Sequence, residues 1–231
     1  MQLTQPLKIE INDVLKALRF NETQNCLTAD TKQLITDLST DILNVTQPKM
    51  VLTPILNICK FEPEISLENC NLLFKGDDIL RHLKNCTGVI LLAVTLGNGI
   101  DAFLSKLAIH GNANFVIADA AANVAIENAA NIATKYISDF CSEEKLFITN
   151  RFSPGYGDFS INIQEDFLAV LNAQRQIGVV CGSGGLMTPQ KSITAVIGVS
   201  NIPVTGTLAG CKTCALRNNC EYKKRGVSCG N

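Results

Sequence analysis

Apolar residues recur at helical spacing in several segments of the chain, and this pattern predicts six helices. The predicted helices are 10–20, 30–44, 76–86, 99–110, 119–141 and 161–176. Asp30 is the N-cap candidate of the second helix, and Gly111 is the C-cap candidate of the fourth. The fifth is rich in alanine, which favours close packing of helices. Its predicted stripe consists of Ile126, Ala130, Ala133, Ile137 and Phe140.

Continuous apolar runs predict the strands, and the run from Thr87 to Gly97 is the strongest of them. The other segments predicted to be extended are 49–61, 146–150, 177–181 and 192–200. Pro54 indicates an edge strand or a break within the first of these. Strands and helices follow one another without a regular βαβ rhythm, so we predict an α+β fold. We expect a mainly helical subdomain over 1–85, an α+β core over 86–205 and a cysteine-rich, metal-binding tail over 206–231.

The composition of the chain bears on its binding partners and on its location in the cell. The chain has 231 residues, 46% of them hydrophobic, and a formal net charge of -1. A near-neutral balance gives no reason to expect nucleic acid or an acidic membrane as a partner. The N-terminus lacks the basic start and apolar stretch of a signal peptide, and no run approaches the roughly 18 apolar residues of a membrane span. We therefore expect a cytoplasmic protein.

Ten cysteines suggest metal or redox chemistry, because no secretory signal favours disulfides. Six are scattered among apolar neighbours, and we expect most of them to be small buried hydrophobic residues. The other four are Cys211, Cys214, Cys220 and Cys229. Their thiolates could bind an iron–sulfur cluster or zinc, with the cluster favoured, and neighbouring lysines and arginines would favour the thiolate form. The alternative is a tail of reduced thiols.

The segment RFSPGYGDF, residues 151–159, is the main candidate for a small-molecule site. Pro154 and Gly155 predict a tight turn that exposes backbone polar groups. Arg151 can hold a carboxylate through two parallel hydrogen bonds, and Tyr156 offers a ring and a hydroxyl. These residue types suit a zwitterionic or heteroaromatic ligand. The alternative is an ordinary surface turn with a packing tyrosine.

Other candidate motifs carry less chemistry. The glycines of GSGG, residues 182–185, match no phosphate-binding motif, and a strand follows where those motifs require a helix. Ser183 lies in no nucleophile elbow, so a hydrolase is not expected. His82 and His110 lie on predicted helices, in a charged setting and at a helix end respectively. We nominate no catalytic residue.

Arg151, Pro154, Gly155 and Tyr156, followed by IGVVCGSGGLMTPQKSITAVIGVS, resemble the activation (reactivation) domain of cobalamin-dependent methionine synthase. In that family an R-x-x-P-G-Y element precedes an I-G-[IV] strand, a loop ending M-x-P and a further strand. The resemblance is specific over about 50 residues. It implies a twisted antiparallel sheet with flanking helices. It also implies that Arg151 holds the carboxylate of S-adenosylmethionine, Ser153 supplies backbone contacts, and Tyr156 lies near the transferred methyl.

The resemblance further implies a stand-alone reactivation partner of methionine synthase or a related corrinoid methyltransferase. Such a partner positions S-adenosylmethionine for reductive methylation of cob(II)alamin bound to the other protein. The reaction needs one electron, which a flavodoxin- or ferredoxin-type donor would supply and a cluster in the tail could relay. The tail is absent from the fused enzyme's domain.

Three departures from the family pattern leave a second interpretation open. The family's tyrosine on the last strand falls near Ile197 here, and an aspartate near the start of the family domain, also a ligand contact, has no counterpart that we nominate. Residues 157–160 replace the usual continuation after the loop tyrosine. The alternative is therefore a non-catalytic corrinoid-protein adaptor or chaperone that has lost S-adenosylmethionine binding.

Overall fold

The computed structural model describes residues 1–3, 5–20, 27–110 and 112–206. Its helices are α1 (Ile11–Ala17), α2 (Ala29–Val45), α3 (Asp77–His82), α4 (Asn98–His110), α5 (Asn112–Glu143), α6 (Gln164–Val170) and α7 (Ala173–Ile177). Its strands are β1 (Lys49–Leu52), β2 (Leu56–Lys60), β3 (Ile65–Leu67), β4 (Cys70–Phe74), β5 (Gly88–Thr95), β6 (Phe147–Ile148), β7 (Val180–Cys181), β8 (Met187–Thr188) and β9 (Ser192–Ser200).

The main sheet is antiparallel, in the order β4-β3-β2-β5-β9-β6, with β1 paired to β5 beside β2. Pro54 lies between β1 and β2, so the predicted break is confirmed. Thr53 bridges this break, since its amide donates to the Leu91 carbonyl and its hydroxyl accepts from the Leu91 amide. The predicted α+β fold, an antiparallel sheet with flanking helices, is confirmed.

Strand β5 is buried at every position because helices cover both faces of the sheet. Ile90, Leu92 and Val94 face one apolar cluster, which includes α1, α2, α4 and α5. Val89, Leu91 and Ala93 face the other, which includes α3, α6 and α7. A strand buried on both faces needs a continuous apolar run, which is why TGVILLAVTLG was the clearest strand signal.

Helix α5 packs through small side chains. Its fully buried alanines are Ala118, Ala121, Ala122, Ala125, Ala129, Ala130 and Ala133. Side chains this short let the helix axis approach the sheet and α2 closely, as the alanine-rich pattern predicted. Phe140 is 53% exposed, so its assignment to the buried stripe was wrong.

Two predicted elements differ from the structure because of left-handed backbone positions. The helix over 161–176 is broken at Asn172, which has φ 49°, so α6 and α7 are separate helices. The strand over 177–181 shortens to β7, because Ile177 ends α7 and Gly178 caps that helix with φ 75°. Helix α2 begins one residue earlier than predicted, since Thr28 rather than Asp30 is its N-cap and accepts from the Thr31 amide at 3.2 Å.

The hairpin of β3 and β4 was not predicted, and it lies within the segment assigned to the N-terminal subdomain. Strands β1 and β2 from the same segment pair with β5. The divisions at residues 85 and 205 remain predictions. Among the described helices, none is both long and apolar enough to cross a bilayer.

Candidate functional site

The loop that follows β6 is attached to the centre of the sheet. Phe152 forms a two-way backbone bridge with Val196 of β9, with N···O distances of 2.9 and 2.8 Å. Its side chain is buried in the second apolar cluster. Bridging at this one residue leaves Arg151 and Ser153, on either side of it, free to face a neighbouring cavity.

The predicted turn at Pro154–Gly155 is present. The Gly155 amide donates to the Phe159 carbonyl at 2.8 Å, and the Tyr156 amide donates to the Ser153 carbonyl at 3.1 Å. Gly155 has φ 93°, a conformation that glycine adopts without a steric penalty. The turn therefore needs glycine at this position and places Tyr156 at its outer edge.

The cavity beside this loop has a volume of about 480 Å³. It is bounded by α5, the 151–156 loop, the start of α6, and β8 and β9. Its lining residues are Glu127, Asn131, Thr134, Asn150, Arg151, Ser153, Pro154, Tyr156, Ile161, Gln164, Met187, Ser192, Ile193 and Thr194. Four of the five predicted site residues thus line one cavity, while Gly155 shapes the turn without lining it.

The two terminal nitrogens of the Arg151 guanidinium differ in their hydrogen bonding. Its Nη2 donates to Glu127 Oε2 at 3.0 Å and to Asn131 Oδ1 at 2.9 Å. Its Nη1 is buried and has no hydrogen-bond partner among the described residues. A buried, unsatisfied donor of this kind costs stability unless an acceptor is supplied from outside the chain. The arrangement suits a ligand with a carboxylate or another strong acceptor.

Tyr156 forms part of the cavity mouth. Its ring is 45% exposed and contacts Phe152 edge to face, with ring centroids 5.9 Å apart. Pro154 beside it is buried. The exposed face of the tyrosine ring is available for contact with a ligand or a partner.

Gln164 and Thr194 also line the cavity, although the sequence did not predict them as site residues. Gln164 is 1% exposed, and its amide donates to Thr194 Oγ1 at 2.8 Å and to Met187 Sδ at 3.0 Å. No local signal marks either residue. Asn131 and Thr134 were also missed, although polar residues at helical spacing along an alanine-rich helix could have indicated them.

A second cavity of about 380 Å³ adjoins the first, and Glu127 and Asn131 line both. Its other wall comes from Lys8, Glu10 and Asp13 at the start of the chain. Asp13 pairs with Lys16 at 3.1 Å. The two cavities together follow the polar side of α5.

The glycine-rich segment is a short connection between β7 and β8. Gly184 and Gly185 have φ 74° and 79°, and a Cβ on Gly185 would lie 2.6 Å from Ile161 Cγ1. Close packing against Ile161, rather than phosphate binding, explains the glycine at this second position. Leu186 follows and is 75% exposed.

His82 lies in a buried polar cluster, not in the charged setting that the sequence suggested. It is 0% exposed, and its Nε2 lies 3.0 Å from the Asn150 carbonyl and 3.0 Å from Thr149 Oγ1. Its ring lies 4.7 Å from that of Phe152, centroid to centroid. His82 therefore contacts residues at the start of the 151–156 loop and does not line the cavity.

The cysteine predictions have a mixed outcome. Cys86 and Cys141 are buried, whereas Cys59 is exposed and Cys70 and Cys181 are half-buried, so the expectation that most are buried was wrong for the described residues. Burial raises the pKa of the Cys86 thiol to about 11.

The four predicted metal-binding cysteines, Cys211, Cys214, Cys220 and Cys229, lie outside the described residues, as do Cys26 and Gly111. Within the described part of the chain, no three His, Cys, Asp or Glu side chains are grouped to hold a metal.

The crystal structure of the MetH reactivation domain bound to AdoHcy superposes on this chain with a TM-score of 0.56 and 13% sequence identity. The match covers 89% of this chain and 75% of that one. This chain has the fold of the MetH reactivation domain. No protein-family model matches the sequence. A search of curated proteins found no match either. At 13% identity, the likeness to the MetH reactivation domain concerns the fold, which was the fold that the Arg151–Tyr156 resemblance implied.

Proposed function

We propose that this protein binds S-adenosylmethionine in the 480 Å³ cavity and serves as a stand-alone reactivation partner of a cobalamin-dependent methionine synthase or a related corrinoid methyltransferase. The buried, unpartnered Nη1 of Arg151 is the observation that carries this proposal. It would donate to the amino-acid carboxylate of the ligand, while Glu127 and Asn131 hold the other edge of the guanidinium.

The remaining lining residues fit other parts of such a ligand. Tyr156 presents a half-exposed ring at the mouth, where it would contact the sulfonium end, and Ser153 would supply backbone contacts. Glu127 lines the cavity beside Arg151, and its carboxylate would accept from the ammonium group next to the ligand's carboxylate. S-adenosylmethionine supplies the methyl group, and the role proposed for this chain is to bind and orient it toward a partner's cobalamin.

One observation favours the alternative of an adaptor without a methyl donor. Ile197, at the place of the family's tyrosine, is fully buried in the first apolar cluster and is not among the cavity residues. A ligand would therefore have fewer aromatic contacts here than the family pattern provides.

Titration calorimetry separates the two possibilities. Wild-type protein is expected to bind both S-adenosylmethionine and S-adenosylhomocysteine. Arg151→Ala should weaken binding about tenfold to hundredfold, which is the loss expected for charge-assisted hydrogen bonds. Arg175→Ala is the matched control, since Arg175 is exposed on α7 and does not line the cavity. Absence of heat with wild type would refute the binding proposal and favour the adaptor.

We also propose that the four tail cysteines bind an iron–sulfur cluster, with zinc as the alternative, and that the cluster relays the electron. The described part of the chain ends beside the cavity. The carbonyl of Thr205 accepts from the amide and side chain of Asn150, at 3.2 and 3.0 Å, and Asn150 lines the cavity. Cys211 follows Gly206 by five residues, which span at most roughly 17 Å.

Iron, sulfide and zinc analysis of anaerobically purified protein tests this second proposal. Stoichiometric iron and sulfide, lost in Cys214→Ala, are expected; zinc alone would end the electron-relay hypothesis. A pull-down of cobalamin-loaded methyltransferase, with and without S-adenosylmethionine, tests the partner.

A further inference from the structure

The segment after the loop tyrosine is joined to α3 by a reciprocal pair of contacts. The carboxylate of Asp158 accepts from the Asp77 amide at 2.7 Å and from the Asp78 amide at 3.0 Å. In return, Asp78 Oδ2 accepts from the Asp158 amide at 3.2 Å. Each aspartate thus satisfies backbone donors of the other segment, across 80 residues of sequence. We call this pair the Asp78–Asp158 latch.

The two segments approach so closely that glycine is required on both sides. A Cβ on Gly157 would lie 2.0 Å from Asp78 Oδ2, and one on Gly76 would lie 2.5 Å from Asp158 Oδ1. Both glycines also have positive φ, 54° and 125°. Glycine at positions 76 and 157 therefore allows the two segments to approach closely enough for the aspartates to bond.

Charge at the latch is balanced by groups on α3. Arg81 pairs with Asp78 through its Nη2. The two amides of the first turn of α3, at the positive end of that helix, meet the Asp158 carboxylate. Both carboxylates therefore have hydrogen-bond or ion-pair partners of opposite polarity.

The latch acts directly on the part of the loop that bears Tyr156. Phe159, next to Asp158, is 2% exposed and contacts Phe74 and Phe152 with ring centroids 5.5 and 6.1 Å apart. Tyr156 lies between the buried Phe159 and the backbone bridge at Phe152. Its amide donates to the Ser153 carbonyl, and its carbonyl accepts from the Phe159 amide. The side-chain hydrogen bonds of Asp158 and Asp78 join the turn to α3.

We infer that Asp158 is a positioning residue: it fixes the Ser153–Phe159 turn, and with it Tyr156, in the geometry that binds the ligand. This inference rests on the proposed function for the identity of the ligand, but the ordering of the turn can be measured without any ligand. Asp158 itself is not among the residues that line the cavity.

Hydrogen exchange of the ligand-free protein is the first measurement. In Asp158→Ala the amides of Gly155, Tyr156 and Phe159 should exchange about five- to tenfold faster, the factor expected when a capping carboxylate is lost. Asp77→Ala is the matched control, because it removes an adjacent exposed carboxylate that takes no part in the latch. Asp158→Asn retains one acceptor and should lie between wild type and alanine. Exchange in β5 should remain unchanged in all three variants.

Calorimetry with S-adenosylhomocysteine on the same proteins is the second measurement. Affinity should fall in the order wild type, Asp158→Asn, Asp158→Ala, because only the ordered fraction of the turn binds. Equal exchange in the Asp158→Ala and Asp77→Ala proteins would overturn the latch. Faster exchange with unchanged affinity would overturn the positioning role. If wild type binds no ligand, the proposed function fails and with it the positioning role, while the exchange data still decide the latch.

Discussion

Phe159 joins the candidate site to the second apolar cluster, and its removal should destabilise the whole protein. The side chain is 2% exposed and contacts Phe74 edge to face. Phe159→Ala would leave a cavity beneath the turn that neighbouring rings cannot fill without leaving their own contacts. The residue lies in an irregular loop, so the change does not break a helix or a strand.

The magnitude follows from burial. Truncating a buried phenylalanine to alanine costs about 3 to 5 kcal/mol, and the aromatic pair with Phe74 places this position in the upper part of that range. With a urea m-value near 3 kcal/mol/M for a chain of this size, a loss of about 4 kcal/mol lowers the unfolding midpoint by roughly 1.3 M. Proteins of this kind are stable by about 5 to 15 kcal/mol, so the variant should still fold.

Urea unfolding followed by circular dichroism measures this shift. Phe147→Ala is the control, since Phe147 is 42% exposed on the edge strand β6 and should change the midpoint by less than roughly 0.3 M. A Phe159→Ala midpoint no lower than that of the control would refute the reasoning, because it would mean that the loop is not packed on the core.

Two further predictions concern the sheet beneath the site. Gly198→Ala should lower stability by about 1 to 3 kcal/mol, because its Cβ would lie 2.5 Å from Cys86 Sγ; thermal unfolding checks this, and an unchanged Tm would contradict it. The pKa of Cys86, about 11 when folded against the ordinary 9.0, means that the folded state keeps the thiol neutral. The Cys86 contribution is therefore full below pH 9 and is lost as pH rises toward 11. Urea titrations at pH 8 and pH 10.5 should show a steeper decline for wild type than for Cys86→Ala; equal slopes would contradict the shift.

The fold was predictable where one residue pattern dominates. The apolar run of β5 and the alanine-rich pattern of α5 reflect burial over many residues, so local exceptions do not obscure them. The break at Asn172 was not predictable in the same way, because asparagine tolerates φ 49° but also occurs within helices, so its presence alone does not mark a break. The strands of the β3–β4 hairpin are only three and five residues long, too short for a strand pattern to stand out.

The candidate site was predictable only as far as it is local in sequence. Arg151, Pro154 and Tyr156 lie within six residues, and turn chemistry identifies them together. Gln164 and Thr194 join the site through a hydrogen bond between elements 30 residues apart. The role of Asp158 depends on α3, which is 80 residues away, and no spacing rule connects the two.

The alanine face of α5 has a consequence for how this cavity could change. Ala125 and Ala129 are fully buried, so a rotation or shift of α5 that enlarged the cavity would disrupt close-packed contacts. Glu127 and Asn131, which α5 contributes to the cavity wall, should therefore keep their positions when the cavity changes in size. Variants selected for a bulkier nucleoside or amino-acid group should accumulate changes in the 153–159 and 183–186 loops and leave α5 untouched.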